Sequence, residues 1–504
     1  MDTDVVVVGA GPVGLLVAAE LSLAGVRPIV LEQLEAPSEQ PKARGIGVLA
    51  AEALRRRGLG ADLDRENEQG LAALVRDHGT SKTHFAWIHK VDPELADPGR
   101  RGALIAQPVL ERVLRRHLSG LGVEVHYGFT VTGHHSEDDE VVLTVDTPAG
   151  RRRISAGYVV GCDGGHSTVR KLAGFEFPGT PPLMTVRYAH AGVRNRDQLP
   201  EPGRLPAGTL FHEDAMVATF DFADTAIDRS APLSADEMRD SLRRVTGVDV
   251  DIDNFEGGLR FTDQARQADS YQRGRTLLAG DAAHVHSPNG GQGLNLGLLD
   301  AMNLGWKLAA TVHGASPESL LPTYSTERHP VGAAVLRNTR AQSALLCPGP
   351  HVDALRDIMS DLMDLPEVNR HLSRLLSGVA HCYPVPYPAV QPPIGFHCPP
   401  MTVDGTPLDR LMTDGRPLLL HPAADEIDTD GRVKTVTARK FGDDRLAAVL
   451  LRPDGVIAWA AGPGDDLNPL NLRQALDAWC PPVRTAPANP FPTNPEIPKC
   501  AIGE

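Results

Sequence analysis

Across 504 residues the chain has no CxxC pair, no cysteine–histidine spacing of the zinc type and no apolar run of membrane length. Its six cysteines, Cys162, Cys347, Cys382, Cys398, Cys480 and Cys500, lie far apart, so neither a zinc site nor a dithiol centre is expected. Glu20 and Arg27 interrupt the most apolar stretch, and Asp2 and Asp4 stand where a secretory leader carries basic residues. Neither a membrane span nor a signal peptide is expected, which points to a cytoplasmic location. Positive charge is also short. The 50 Lys and Arg stand against 64 Asp and Glu, a net charge of -14 that opposes attraction to nucleic acid or anionic lipid. The expected partner is a small molecule, with the chain a monomer or homodimer.

What the chain does have is glycine in three informative places: Gly9-Ala-Gly-Pro-Val-Gly14, Cys162-Asp-Gly164 and Gly280-Asp281. Each follows an apolar run that reads as a strand. The first follows 5–8 and opens a helical stretch over 12–24, so its glycines permit a tight turn and a close approach of the helix N-terminus to a pyrophosphate. Glu32, ending the next apolar run at 28–31, is placed to hold a ribose hydroxyl. Strand, turn, helix, strand and acidic residue in this order predict a dinucleotide site in which Gly9, Gly11, Pro12, Val13, Gly14 and Glu32 take part. Together the three motifs outline one long site suited to FAD.

The length predicts two to four domains. After Glu32, Pro41-Lys-Ala-Arg-Gly-Ile-Gly47 leads into a helix over 48–57, and Arg44 either reaches a phosphate or flavin edge or is a solvated loop arginine. Residues 76–102 mix His78, His84, Trp87 and His89 without periodicity, as in a loop or short strand pair that lines a site. Gln107 precedes a helix over 109–118. Strands are expected at 123–127, 141–145 and 158–161, with the acidic run 136–140 as a solvated turn. The pattern alternates from 178 to about 265, and the strand 276–279 then resumes the first architecture.

Gly280-Asp-Ala-Ala-His-Val-His-Ser-Pro-Asn-Gly-Gly-Gln-Gly-Leu-Asn295 follows, ahead of a long helix over 296–312. Asp281 can accept from a chain of hydroxyls, and the N–H groups around Gly290 to Asn295 can face an electron-rich ring. His284 and His286 near Asp281 lack a strong third ligand, so packed or hydrogen-bonded histidines are expected in place of a metal. Helix returns over 324–344. Prolines accumulate from Cys382 to Pro400 as in a linker. A last unit has a hairpin turning at Arg452-Pro-Asp-Gly455, a helix over 470–479 and a proline-rich end at 481–504.

The segments Tyr158-Val-Val-Gly-Cys-Asp-Gly-Gly165 and 280–295, combined with Gly9 to Gly14, resemble the class A flavoprotein monooxygenases, or aromatic hydroxylases. Within them the chain is most similar to the branch acting on aromatic polyketides, including angucycline and anthracycline tailoring oxygenases. The resemblance implies an α/β fold: a Rossmann-like FAD-binding domain at 1–177 and 266–380, interrupted by a mainly β substrate domain at 178–265. A linker at 381–400 would then precede a thioredoxin-like domain at 401–504, structural because it has no CxxC. It also implies that Arg44 and Gln107 touch FAD and that Asp163 lies near the pyrophosphate and the route of a visiting nicotinamide. Gly280 and Asp281 would meet the ribityl chain, with Pro288, Gly291, Gly293, Leu294 and Asn295 around the ring.

The reaction implied is that of an external monooxygenase: NADPH (or NADH) reduces FAD, O2 adds, and a C4a-hydroperoxide transfers one oxygen to a polycyclic aromatic. Pro288, Gly290 and Gly291 would shape the flavin environment, since FAD carries the oxygen chemistry and the protein positions and shields it. No acid or base stands out, and none of the seven tyrosines sits where a phenol-deprotonating relay is expected. Trp87, Phe211 and His212 are candidates for the substrate pocket, with ordinary packing as the alternative for each. Baeyer–Villiger insertion beside a ketone and oxidative inactivation of an aromatic antibiotic fit the same chemistry. A non-catalytic flavin-binding redox module is the reading from another class.

Overall fold

The computed structural model describes residues 1–40, 42–68, 83–95, 97–213, 215–225, 231–315, 317–387, 393–422, 429–465 and 469–480. Pro41, His78, Cys500 and the proline-rich end at 481–504 lie outside these residues.

Consecutive valines at 5–8 suit a strand covered on both faces, and Val5, Val6 and Val7 are fully buried. Thr3–Val8 runs parallel to both of its neighbours, Pro28–Glu32 and Gly150–Gly161. Thr276–Leu278 extends the sheet beyond Gly150–Gly161, and Val125–Tyr127 extends it beyond Pro28–Glu32, both again parallel. Thr130–Ser136 and Val141–Thr147 form the hairpin around the acidic turn, and Val141–Thr147 pairs onto Gly150–Gly161. Gly161 is the register partner of both Val8 and Leu278. The three glycine motifs, remote in sequence, therefore leave the sheet side by side at the carboxyl ends of adjacent strands, where an open parallel sheet binds ligands.

Pro12–Leu23 and Gly293–Val312 cover this sheet in close contact: a Cβ on Gly305 would lie 2.3 Å from Glu20 Cβ. The alternating segment forms a five-stranded antiparallel sheet in the order Gly203–Leu205, Gly208–Glu213, Met216–Asp221, Thr185–Val193, Ile252–Thr262. The helix Ala235–Thr246 departs from the all-strand reading of that segment. Ser234 Oγ caps it by accepting from Glu237 N–H, Gly247 ends it at φ +74°, and Met238 and Leu242 bury against the sheet.

Thr323–Leu346 is followed by two helices absent from the sequence reading, Pro350–Leu362 and Pro366–Ser377. The last unit has a four-stranded sheet in the order Lys434–Thr437, Leu418–His421, Ala448–Leu451, Ile457–Ala461, then the helix Pro469–Trp479. The described part of 381–400, read as a linker, is instead fastened into the body. Gly395 N–H donates to Ile457 O, Tyr387 Oη donates to Ala458 O, and Arg328 donates to Tyr383 Oη. Prolines remove amide donors here, and side chains join the remaining backbone groups in supplying the anchorage. Among the described residues no helix is long and apolar enough to cross a membrane.

A charge network sealed from solvent joins the long helices to this last unit. Glu327 accepts from both Nη atoms of Arg452 (2.7 and 2.8 Å), from Lys307 Nζ (2.8 Å) and from Asn303 Nδ2 (2.6 Å), while Arg452 also pairs with Asp454. Beside it, Arg57 pairs with Glu20 and donates to the carbonyls of Met412 and Pro453. Burial pushes the Glu327 carboxyl up, but Arg452 and Lys307 outweigh it and hold it at about 2. A depressed carboxyl contributes stability that is complete above its unfolded value of 4.5 and is lost as pH falls through about 2. Glu327→Gln is therefore expected to lose about 3–5 kcal/mol at pH 7, because Arg452 and Lys307 stay buried without their shared counter-charge. Urea unfolding at pH 7 and pH 4 checks this: the gap between variant and parent should narrow at the lower pH.

Candidate active site

The strand ends and their glycine turns border a cavity of about 920 Å³. Gly9 sits at φ +103°, and a Cβ there would lie 2.4 Å from Cys162 O. Only glycine allows the first and second motifs to touch. A Cβ on Gly14 would meet Gly9 O at 2.0 Å, so this glycine seats the helix on its own turn. Gly11 differs, because a Cβ there would meet nothing within 4 Å. It caps Pro12–Leu23 with extended backbone and no side-chain cap, leaving the positive helix end turned to the cavity.

Glu32 lines the same end with a fixed carboxylate, accepting from Ala10 N–H at 2.8 Å and Leu34 N–H at 3.0 Å. Asp163 Oδ2 accepts from Thr168 and Val169 N–H (2.7 and 3.0 Å), tying the second motif to the helix Thr168–Leu172. Asp163 lines the cavity, and its Oδ1 is buried with no hydrogen-bond partner among the described residues. Cys162 is packed against Gly14, and burial pushes its thiol far up, which suits packing and not nucleophilic attack.

At the third motif, Gly280 takes φ +63° and Asp281 is exposed on the cavity wall. Asp300, on Gly293–Val312, holds this turn from behind. Its carboxylate accepts from Gly280 N–H (3.1 Å), His284 Nε2 (2.7 Å) and Arg328 Nε (2.7 Å) and is fully buried. Burial raises its pKa, but Arg328 and His284 bring it below the usual carboxylate range. His284 thus belongs to the frame. His286 donates from Nδ1 to Ser287 O at 2.7 Å, burial lowers its pKa, and its buried Nε2 has no partner among the described residues of the cavity it lines.

Pro288, Gly291, Gly293 and Leu294 line the cavity beside Val13 and Pro12, whereas Gly290, Gly280, Gly14 and Asn295 support it from outside the lining. Asn295 Oδ1 accepts from Gly47 N–H (2.5 Å) and its Nδ2 donates to Gly291 O (2.8 Å), joining the 42–47 segment to the third motif. Arg44 and Gln107 also line the cavity. Arg44 abuts Met216 of the antiparallel sheet, and Gln107 Nε2 donates to Glu111 at 2.9 Å. Lys42, Gly45, Glu111 and Arg115 belong to the wall although no sequence motif marks them. The i, i+4 and i+8 spacing of Gln107, Glu111 and Arg115 on one helix was the available signal.

Trp87, Phe211 and His212 lie outside this lining. Trp87 makes edge contacts with Phe211 and Phe220 at centroid distances of 6.2 and 5.8 Å. His212 has both ring nitrogens engaged, Nδ1 by Arg196 and Nε2 by Pro200 O, so it stabilises the 196–200 loop.

The residues fit an extended dinucleotide. A helix N-terminus and an open glycine face suit a pyrophosphate, a fixed carboxylate suits a ribose, and the Asp163 Oδ1 and His286 Nε2 acceptors have no partner among the described residues.

Residues 2–339 match the family described as FAD binding domain, and residues 391–482 match the family described as aromatic-ring hydroxylase, C-terminal. A 12-dehydrotetracycline 5-monooxygenase/anhydrotetracycline 6-monooxygenase of Streptomyces rimosus is 40% identical over 516 residues, covering 96% of this chain and 99% of that protein. A dialkyldecalin synthase of Streptomyces rugosporus is 35% identical over 499 residues, covering 96% of this chain and 100% of that protein. Among solved structures, the anhydrotetracycline hydroxylase OxyS from Streptomyces rimosus aligns with a TM-score of 0.84 and 37% identity, over 96% of this chain and 100% of that one.

The two glycines separate ligand from fold. Gly11→Ala is expected to melt like the parent and to bind FAD at least about tenfold more weakly, because its methyl group meets no protein atom within 4 Å at a position that lines the cavity. Gly14→Ala is expected to lower the melting temperature of the flavin-free protein. Thermal melts and FAD fluorescence titration check both.

Proposed function

The chain belongs to the FAD-binding aromatic-ring hydroxylases, and from that premise we propose that it adds one oxygen atom of O2 to a polycyclic aromatic of the polyketide class. It is a monooxygenase of the FAD-dependent class, which uses NAD(P)H as reductant. The observation that carries the proposal is the common register of Val8, Gly161 and Leu278, which gathers three glycine turns around one cavity of about 920 Å³.

In this reading the N-terminus of Pro12–Leu23, with Gly9 and Gly11, takes the pyrophosphate. Glu32 takes the adenosine ribose, and Gln107 and Asp281 take hydroxyls of the ribityl chain. Arg44, Pro288, Gly291, Gly293 and Leu294 surround the ring, and Asn295 and Gly290 keep the turn beside it in shape. When bound, FAD supplies the oxygen activation and transfer. The chain's own work is to orient the ring, stabilise negative charge on it with the N–H groups that open Gly293–Val312, and exclude water. Helix-end stabilisation of about 0.3–2 kcal/mol per group is modest alone and adds up where several N–H groups converge.

We divide the chain into an FAD-binding body (1–177 and 266–380), a substrate-covering sheet (178–265) and a C-terminal thioredoxin-like unit beginning near 401. Support for the last comes from its strand order, a parallel pair extended by an antiparallel hairpin and followed by a helix. The substrate class rests on the tetracycline-type substrates named for the relative and on the aromatic face formed by Trp87, Phe211 and Phe220.

One relative is named a synthase, so a bound flavin alone does not establish oxygen transfer. NADPH oxidation by the FAD-loaded protein, followed with a panel of polycyclic phenols and quinones and with product mass recorded, decides the matter. At least one compound is expected to accelerate oxidation and to gain one oxygen. A product of unchanged composition, formed without NADPH consumption, would replace oxygen transfer with a synthase-type rearrangement.

A further inference from the structure

Ala86 and Trp87 form the tip of the hairpin Thr83–Phe85/Ile88–Val91 with φ values of +50° and +62°, a conformation that non-glycine residues leave unless they are held. Three side chains hold it, one of them His84 within the hairpin, whose Nδ1 accepts from Trp87 N–H at 3.3 Å. Ala86 N–H donates to Gln342 Oε1 at 3.1 Å, and Arg356 Nη1 donates to Ala86 O at 2.7 Å. Trp87 is thereby set edge-on against Phe211 and Phe220 of the antiparallel sheet.

Gln342 faces the flavin turn as well. It is fully buried on Thr323–Leu346, and a Cβ on Gly290 would lie 3.1 Å from its Nε2. The same Nε2 approaches Asn338 Oδ1 at 3.5 Å, Asn338 Nδ2 donates to Gln292 Oε1 at 2.5 Å, and Gln292 Nε2 donates to the carbonyls of Leu375 and Leu376. A buried line of amides thus runs from the Gly290–Gln292 turn to the Trp87 tip, with Gln342 touching both ends. Amides inside an apolar core are costly unless paired, and here the pairing fixes the spacing between the Gly290–Gln292 turn and the hairpin tip.

We propose that Gln342 is a positioning residue that sets the gap between the Gly290 turn and Trp87, and so clamps a flat aromatic substrate between the flavin and the antiparallel sheet. The inference rests on the monooxygenase reading for its substrate and on the geometry above for everything else. Without the Gln342 acceptor, the buried Ala86 N–H is unpaired, the tip relaxes toward ordinary φ values and Trp87 leaves its place. The substrate then sits loosely, and NADPH, a solvent proton and O2 are turned into NADP+ and H2O2 in place of oxygenated product.

Gln342→Leu in the full chain tests this with two readouts. The first is acrylamide quenching of the emission that Trp87→Phe removes, measured on flavin-free protein, and quenching is expected to increase. The second is product formed per NADPH in the FAD-loaded enzyme, expected to fall about fivefold to tenfold with H2O2 making up the difference, as for one lost buried hydrogen bond. FAD affinity should stay within about threefold of the parent. Gln342→Glu keeps an acceptor for Ala86 and should restore both readouts. Should Gln342→Leu not fold, Arg356→Met removes the other hold on Ala86 and is expected to shift both readouts the same way. Unchanged Trp87 quenching, unchanged coupling, or equal losses in Gln342→Glu each overturn the proposal. A parent enzyme that oxygenates nothing removes the proposed function and leaves the quenching result to decide the clamp's geometry.

Discussion

The Asp300 carboxylate, sealed within the helix Gly293–Val312, is the point on which the geometry of the site depends. One oxygen holds Gly280 N–H and His284, and the other holds Arg328. Arg328 in turn reaches Leu296 O and Tyr383 Oη. The third glycine turn, the helix that starts beside it and the stretch leading to the C-terminal unit are therefore set by a single buried charge. An unpaired charge there would cost several kcal/mol, so the arrangement is held closely or not at all.

Around that point the fold does two things. The parallel sheet brings three turns to one level, and the close contact of its two covering helices keeps their N-termini beside the same cavity. A second set of buried charges, centred on Glu327 and Arg452, fastens the C-terminal unit to Thr323–Leu346 and, through Asn303 and Asp454, to Gly293–Val312. The C-terminal unit thus supports the helix whose start lines the cavity, and none of its described residues belongs to the cavity wall. Met216 of the antiparallel sheet contacts Arg44 of the cavity wall.

The glycine motifs were legible in the sequence because each is a local requirement: a positive φ, a missing Cβ, an apolar run before it. The same holds for the hairpin at 136–140 and the strand pattern of the middle segment. Asp300 was not legible as an anchor, because its partners lie 16 to 28 residues away and only the fold joins them. Gln342 is further removed, since its contact with Ala86 spans 256 residues. The helix Ala235–Thr246 carried a visible signal in Ser234-Ala-Asp-Glu237, a capping box that the surrounding alternation obscured. The stretch at 381–400 misled through its prolines, which mark loss of amide donors and say nothing about side-chain anchorage.

The most direct test of this account is FAD titration of the Asp300→Asn variant, followed by flavin fluorescence together with the circular dichroism of the flavin-free protein. Native secondary structure and FAD affinity at least about tenfold weaker are expected, because the Gly280 turn loses the charge that holds His284 and Arg328 around it. Native secondary structure with unchanged affinity would contradict it, and would mean that the glycine turns hold their positions without the buried carboxylate.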